Sequence, residues 1–351
     1  MIMSDQRADS SPAQRNQPQP QPQQQQQPRH VARAFPQSRL STRAWIYMLL
    51  LSIQYGAQPL VSKRFTRNHV IVSSIVIACE WAKVVFALIF MAWDGSLWTV
   101  GKNWTLSGAL VASALPAAMY ALQNSLLQLG YRHLDSLTFS MLNQSKLLFT
   151  AIFMFLLLGI RQSSHQIGAL AVLLGASLLL CLGESSTARK SDGAHVEALL
   201  YGVLPTLVAS ILSGLASSLC QWASQVKRRS SYLMTIEMST IGTLCLVVSL
   251  SWSPDGHTIR KYGFFYGWTI HTLIPVFANA IGGILVGLVT TAAGGVRKGF
   301  VIVNALLVTA FLQLMFEGKP PSFYTWSAMP LVVSSVILYQ RYPYREKTKS
   351  Q

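Results

Sequence analysis

The sequence predicts an all-α polytopic membrane protein of ten transmembrane helices, arranged as two inverted five-helix repeats. Three observations lead there. Apolar stretches of about 20 residues, long enough to span a bilayer core, recur from Ala44 to Tyr339. Of the 351 residues only 11% are charged, while 51% are hydrophobic. Segments of the first half also return in the second: SIQYG from Ser52 matches SILSG from Ser210, Glu80 matches Glu237, Pro116 matches Pro275 and Leu126 matches Leu285, each about 158 residues apart.

Taken in order, residues 1–40 hold the PQPQPQQQQQP tract and no apolar periodicity, so they read as a disordered tail. No long apolar core precedes Ala44, and the first apolar stretch is expected to direct insertion itself. Helices are predicted at about 43–62, 69–93, 104–130, 135–158, 163–183, 198–225, 231–252, 264–290, 297–316 and 322–340. Their ends follow charge and Pro/Gly punctuation at Lys63-Arg64, Asp94-Gly95, Lys227-Arg228-Arg229, Ser253-Pro254-Asp255-Gly256 and Lys319-Pro320-Pro321. The first repeat covers 41–183, a loop 184–197, the second repeat 198–340 and a basic tail 341–351. An even helix count places both termini on one face, and the basic tails favour the cytosol. An odd count within each repeat makes the halves insert with opposite orientation. That is a transporter design, with a ligand site near the midplane and access that alternates between faces.

Several classes are disfavoured. The net charge of +16 sits largely in the tails and short loops, as membrane topology requires, so no nucleic acid partner is expected. Cys79, Cys181, Cys220 and Cys245 fall inside apolar stretches without metal-ligand spacing. The histidines form no ligand-spaced pair and no nucleophile elbow is present, so neither an enzyme nor a metal or cofactor is expected.

The residues that carry chemistry lie inside the apolar helices. Lys146 sits in an apolar helix behind Asn143, Gln144 and Ser145. A lone ammonium at membrane depth costs several kcal/mol and needs a cavity and a partner, here expected to be an anion that comes and goes; the structural alternative is pairing with Glu80 or Glu237. In the second half, Gly294-Gly295-Val296-Arg297-Lys298-Gly299-Phe300 opens the ninth helix. Glycine there leaves backbone N–H groups free to approach the same anion. The plainer reading of Arg297 and Lys298 is a charge pair facing water. Glu80 and Lys83, one turn apart, share a helix face. They are either a buried salt bridge or a gate in which Glu80 competes with substrate for a lysine, with Glu237 the matching candidate. Tyr120, Gln123, Asn124 and Ser125 suit the face and edge of a nucleobase. Ser213 begins the small-residue run SGLASS, which also suits close helix packing. Asn279 on the eighth predicted helix completes the candidate binding set. Lys347 and Lys349 have the KxKxx spacing of a dilysine retrieval signal, readable by coat proteins only in a cytosolic tail.

At YALQN, LDSLTF, NQSK and RKGF the chain resembles the nucleotide-sugar transporters of the CMP-sialic acid and UDP-galactose transporter type. Through QYGAQPL, SGLASSLCQWASQVK and AGGVRKGFVIV it is similar to the plant endoplasmic-reticulum transporters of UDP-N-acetylglucosamine and UDP-N-acetylgalactosamine. The resemblance implies a drug/metabolite transporter fold in an endoplasmic-reticulum or Golgi membrane. It implies exchange of those UDP-sugars, inward from the cytosol, for UMP. A homodimer is a candidate assembly that the sequence leaves open. Carried over by motif, the family's helix-two Glu and Lys fall on Glu80 and Lys83, its base-reading Tyr and first Asn on Tyr120 and Asn124, its phosphate lysine on Lys146 and its Lys-Gly-Phe on Lys298, Gly299 and Phe300. This sequence departs from the pattern at Ser125 and Asn143, and at Thr291 to Gly295, where the family's second phosphate lysine is absent. That charge then falls to Lys298 or Arg297, or the diphosphate is held differently. The alternatives are another nucleotide sugar, of the UDP-galactose or CMP-sialic acid type, a sugar phosphate, or a membrane glycosyltransferase or scaffold subunit.

Overall fold

The computed structural model describes residues 40–344 apart from 68, 103, 134–138, 140–141, 185–197, 319 and 322. The predicted Gln/Pro-rich tail up to residue 39, most of the 184–197 loop, and Lys347 and Lys349 lie outside the described residues. Among the described residues the chain is helical, with no strand. In order come α1 (Thr42–Phe65), α2 (Val72–Trp93), α3 (Ser96–Lys102), α4 (Leu106–Ala109), a π-helical stretch Leu110–Ala114 and α5 (Leu115–His133). Then follow α6 (Lys146–Leu158), α7 (Ser164–Glu184), α8 (Leu204–Gln221) with π-helical stretches at Ala198–Val203 and Trp222–Val226, α9 (Ser231–Leu250), α10 (Pro254–Tyr262), α11 (Leu273–Ala293), α12 (Gly295–Glu317) and α13 (Phe323–Arg341).

Among the described residues six helices are long and apolar enough to cross a membrane: Val72–Trp93, Leu106–Leu127, Leu200–Val226, Ser231–Leu250, Ile270–Ala293 and Gly295–Glu317. This is a multi-pass membrane protein. Its outward faces are apolar, as with Val85, Leu88 and Ile89 on α2 and Leu244, Val247 and Val248 on α9, all exposed. A bilayer favours such faces, because helices satisfy their own backbone and present side chains to lipid.

Inside, α6, α7, α12 and α13 share a core of Leu147, Met154, Leu173, Val303 and Val332. A second core joins Met48 and Leu51 of α1 to Leu285 and Val289 of α11 and Val301 of α12. Glycines let α6 sit close to its neighbours. A Cβ on Gly214 of α8 would lie 2.7 Å from the backbone of Phe149 and Thr150, and one on Gly299 of α12 would lie 2.2 Å from Leu147 Cδ2. The packing role of the SGLASS run is therefore realised.

Two predicted boundaries move. Ser253-Pro254-Asp255-Gly256 reads as a break, yet it starts α10: the Ser253 hydroxyl accepts from Gly256 N–H, Pro254 takes the first turn and Asp255 faces the positive helix end. The eighth predicted helix, from about 264, instead begins regular α-helix at Leu273. Gly267, at φ 77°, turns the chain against the backbone of His69, and Trp268 donates to Ser74 Oγ at 2.9 Å.

Candidate functional site

A cavity of about 910 Å³ opens between α2, α5, α9, α11 and the ends of α8 and α12. That volume lies within the roughly 300–1,000 Å³ of small-molecule sites. Six of the sequence-predicted residues line it: Glu80, Lys83, Tyr120, Asn124, Ser125 and Lys298.

The helices deliver these side chains by register. Glu80 and Lys83 stand one turn apart on α2, and Lys83 Nζ donates to Glu80 Oε1 at 2.6 Å. The pairing expected from their spacing is present, and both groups are about four-fifths shielded. Gly283 of α11 leaves room for the lysine stem, since a Cβ there would lie 2.8 Å from Lys83 Cε. Tyr120, Asn124 and Ser125 follow one another along α5; the Ser125 hydroxyl donates back to the Ala121 carbonyl. Gln123 is buried outside the cavity wall, and its Oε1 has no partner among the described residues.

Lys298 is buried in the first turn of α12. Its Nζ donates to Ser217 Oγ at 2.9 Å, and among the described residues no carboxylate pairs with it. The water-facing reading of Lys298 is overturned. Lys146, at the start of α6, is partly buried and does not line the cavity; its neighbour Leu147 packs against Gly299, next to Lys298. Pairing of Lys146 with a carboxylate is not what the structure shows: Glu80 holds Lys83, and Glu237 holds Arg229. Like charges on packed helices repel in low-dielectric surroundings, and an anion near both would offset that.

Other candidates fall elsewhere. Glu237 is buried off the cavity, accepting from Arg229, Ser113 Oγ and Trp104 Nε1. Asn143, Gln144 and Ser213 are half-buried outside it. Asn279 lines a neighbouring space of about 320 Å³, with Gln54 and Gln58, on the other side of Lys83. One of the N–H groups expected to be free at the start of α12 is taken: Gly294, at φ 88°, leads into Gly295, whose N–H donates to Gln221 Oε1 at 2.6 Å.

Sequence reasoning missed the hydroxyl stripe on the far wall. Ser231, Thr235, Ser239, Gly242 and Ser249 recur every three to seven residues along one face of α9, and Gly283, Gly287 and Thr290 do so on α11. Small and hydroxyl residues at helical spacing within an otherwise apolar span were the available signal.

With that geometry in view, comparison with known proteins is informative. The profile of the nucleotide-sugar transporter family matches residues 40–340. An Arabidopsis thaliana UDP-N-acetylglucosamine transporter, ROCK1, is 62% identical over 90% of this chain and 97% of its own. A UDP-N-acetylglucosamine transporter of Rattus norvegicus is 25% identical over 76% and 84% respectively. The Caenorhabditis elegans UDP-N-acetylglucosamine/UDP-N-acetylgalactosamine transporter nstp-4 is 27% identical over 68% and 69%. One solved crystal structure superposes with a TM-score of 0.63 at 13% identity, over 84% of this chain and 96% of its own, a likeness of fold alone.

Proposed function

Because the chain belongs to the nucleotide-sugar transporter family, we propose that it carries UDP-N-acetylglucosamine, and UDP-N-acetylgalactosamine with it, from cytosol to lumen in exchange for UMP. It acts as a carrier and not as an enzyme. The observation that carries this reading is the meeting, in one cavity, of a buried lysine, without a carboxylate partner among the described residues, with an aromatic ring and amide on another helix. The named relatives supply the substrate class.

In this reading Lys298, with Lys146 nearby, attracts the diphosphate. An ammonium suits the task as a point charge that binds without fixed geometry and can release. Tyr120 stacks on uracil, while Asn124 and Ser125 read its edge. Glu80 keeps Lys83 occupied and yields it as substrate arrives. Ten helices cross the membrane as two inverted five-helix repeats, 41–183 and 198–340, in the drug/metabolite transporter fold. The contribution of both halves to the cavity walls supports that arrangement. Both termini face the cytosol, and residence in the endoplasmic reticulum rests on Lys347 and Lys349 being read by coat proteins.

The test is uptake of labelled UDP-N-acetylglucosamine into proteoliposomes, preloaded with UMP or left empty, for wild type, Lys146→Ala and Lys298→Ala. Uptake accelerated by internal UMP and lost in either variant is expected. Folded wild-type protein that takes up neither UDP-N-acetylhexosamine would sink the reading. Uptake of a sugar phosphate that ignores UMP would replace it.

A further inference from the structure

A second cavity, of about 350 Å³, adjoins the first, and Ser224 and Thr291 line both. The layer between them is hydrogen-bonded: Gln225 Nε2 donates to the Thr291 carbonyl at 3.0 Å, and Gln221 Nε2 donates to Gln225 Oε1 at 2.8 Å. Arg297, Gln162 and Tyr339 face the second cavity, and among the described residues no carboxylate lines it. Neighbouring residues on a helix point about 100° apart. Lys298 and Arg297 thus address different spaces from one turn of α12.

Two donors here lack acceptors among the described residues: Arg297 Nε and Gln162 Nε2 are both shielded from solvent and unbonded. The Tyr339 hydroxyl donates to Gln162 Oε1 at 2.8 Å, which occupies the amide's acceptor and leaves its NH₂ unused. Arg297 Nη1 reaches the Ala293 carbonyl only at 3.5 Å, the outer limit of a hydrogen bond. A guanidinium in a space that no carboxylate lines among the described residues lacks a counter-charge there, so an anionic occupant that accepts hydrogen bonds fits this space. The guanidinium's forked donors match phosphate.

We propose that Arg297 and Gln162 form a second anion subsite, separate from Lys298, that holds a phosphate group of the nucleotide on its way into or out of the main cavity. The identity of the anion rests on the nucleotide-sugar reading; the existence of the subsite does not. Gln225 and Gln221 form the partition that must open for the phosphate to step from Arg297 to Lys298.

Two measurements test it on the full chain. In proteoliposomes of uniform orientation, the half-saturating UMP concentration is measured on each face in turn. Arg297→Gln is expected to raise it about tenfold on one face, leave the other within about twofold and keep the maximal rate, with Arg297→Lys restoring most of the loss. In detergent, protection of the purified protein against heat by inorganic phosphate should weaken in Arg297→Gln and in Lys298→Gln separately and be lost only when both are replaced. An equal effect on both faces, a fall in maximal rate alone, or phosphate protection unchanged by Arg297→Gln would each overturn the subsite. Should Arg297→Gln not fold, Gln162→Ala carries the same expectations in weaker form. If phosphate protection depends on Arg297 but wild type carries no UDP-sugar, the subsite stands and the functional reading falls.

Discussion

Two buried charges show how similar residues do opposite work. Lys298 has a hydroxyl for a partner and faces an open cavity; Glu237 is closed in by Arg229, Ser113 and Trp104. An unpaired ammonium at membrane depth costs about 3 kcal/mol on insertion scales. Lys298→Met, close in size and apolar, should therefore raise the unfolding temperature while abolishing protection by UMP. Glu237→Gln strands the Arg229 guanidinium, and breaking a buried pair costs about 3–5 kcal/mol. It should lower the unfolding temperature while leaving transport per folded molecule near wild type. Thermal unfolding with and without UMP separates the two, and a Lys298→Met protein that is destabilised yet still protected would contradict the assignment. The sequence shows both charges in apolar surroundings but not their surroundings in space. Glu80–Lys83 was legible because both partners share one helix turn. Arg229, by contrast, reaches Glu237 around a loop and a helix start.

At the scale of elements, α6 positions Lys146 by close approach. Gly214 lets the backbone of α8 meet that of α6, and Gly299 admits Leu147 from the other side. Gly214→Val forces the two backbones apart, and overpacking of this kind costs about 1–3 kcal/mol. Because the shift carries Lys146 with it, transport should fall further than the fraction of folded protein does. Gly175→Ala provides the contrast, since it lies within α7 with nothing within 4 Å of its Cβ position. Removing a mid-helix glycine should be neutral or stabilise by up to about 1 kcal/mol, with transport unchanged. Parallel unfolding and uptake measurements on the pair check this, and equal losses in both variants would refute the seating of α6. The spans themselves were legible because length and hydropathy report directly on a bilayer. The start of α10 was misread since Ser-Pro-Asp-Gly serves equally as a turn and as a capped helix N-terminus. Tertiary contacts decided between them: Ser73 N–H and Oγ both donate to Asp255 Oδ2, at 3.0 and 2.6 Å.

For the whole molecule, the limit on a carrier is release as much as capture. A cavity in which Lys298 has only the Ser217 hydroxyl as partner among the described residues, and Lys83 is held by Glu80, presents one strong cation and keeps another in reserve. Glu80 is the only carboxylate lining that cavity among the described residues, so it is the group that can repel a departing phosphate and reclaim Lys83. Glu80→Gln preserves shape and hydrogen bonding while removing that competition. Substrate and transition between faces then respond in opposite directions: binding tightens because Lys83 is available, and turnover slows because binding energy is spent on the occupied state instead of on its conversion. Glu80→Gln should therefore lower the half-saturating UMP concentration and the maximal exchange rate together. A variant that only weakens binding would identify Glu80–Lys83 as a structural pair, in which loss of the carboxylate disorders α2 against α9 and α11. Direct UMP binding, measured beside exchange in the same preparation, distinguishes the two, because a disordered wall cannot bind its ligand more tightly.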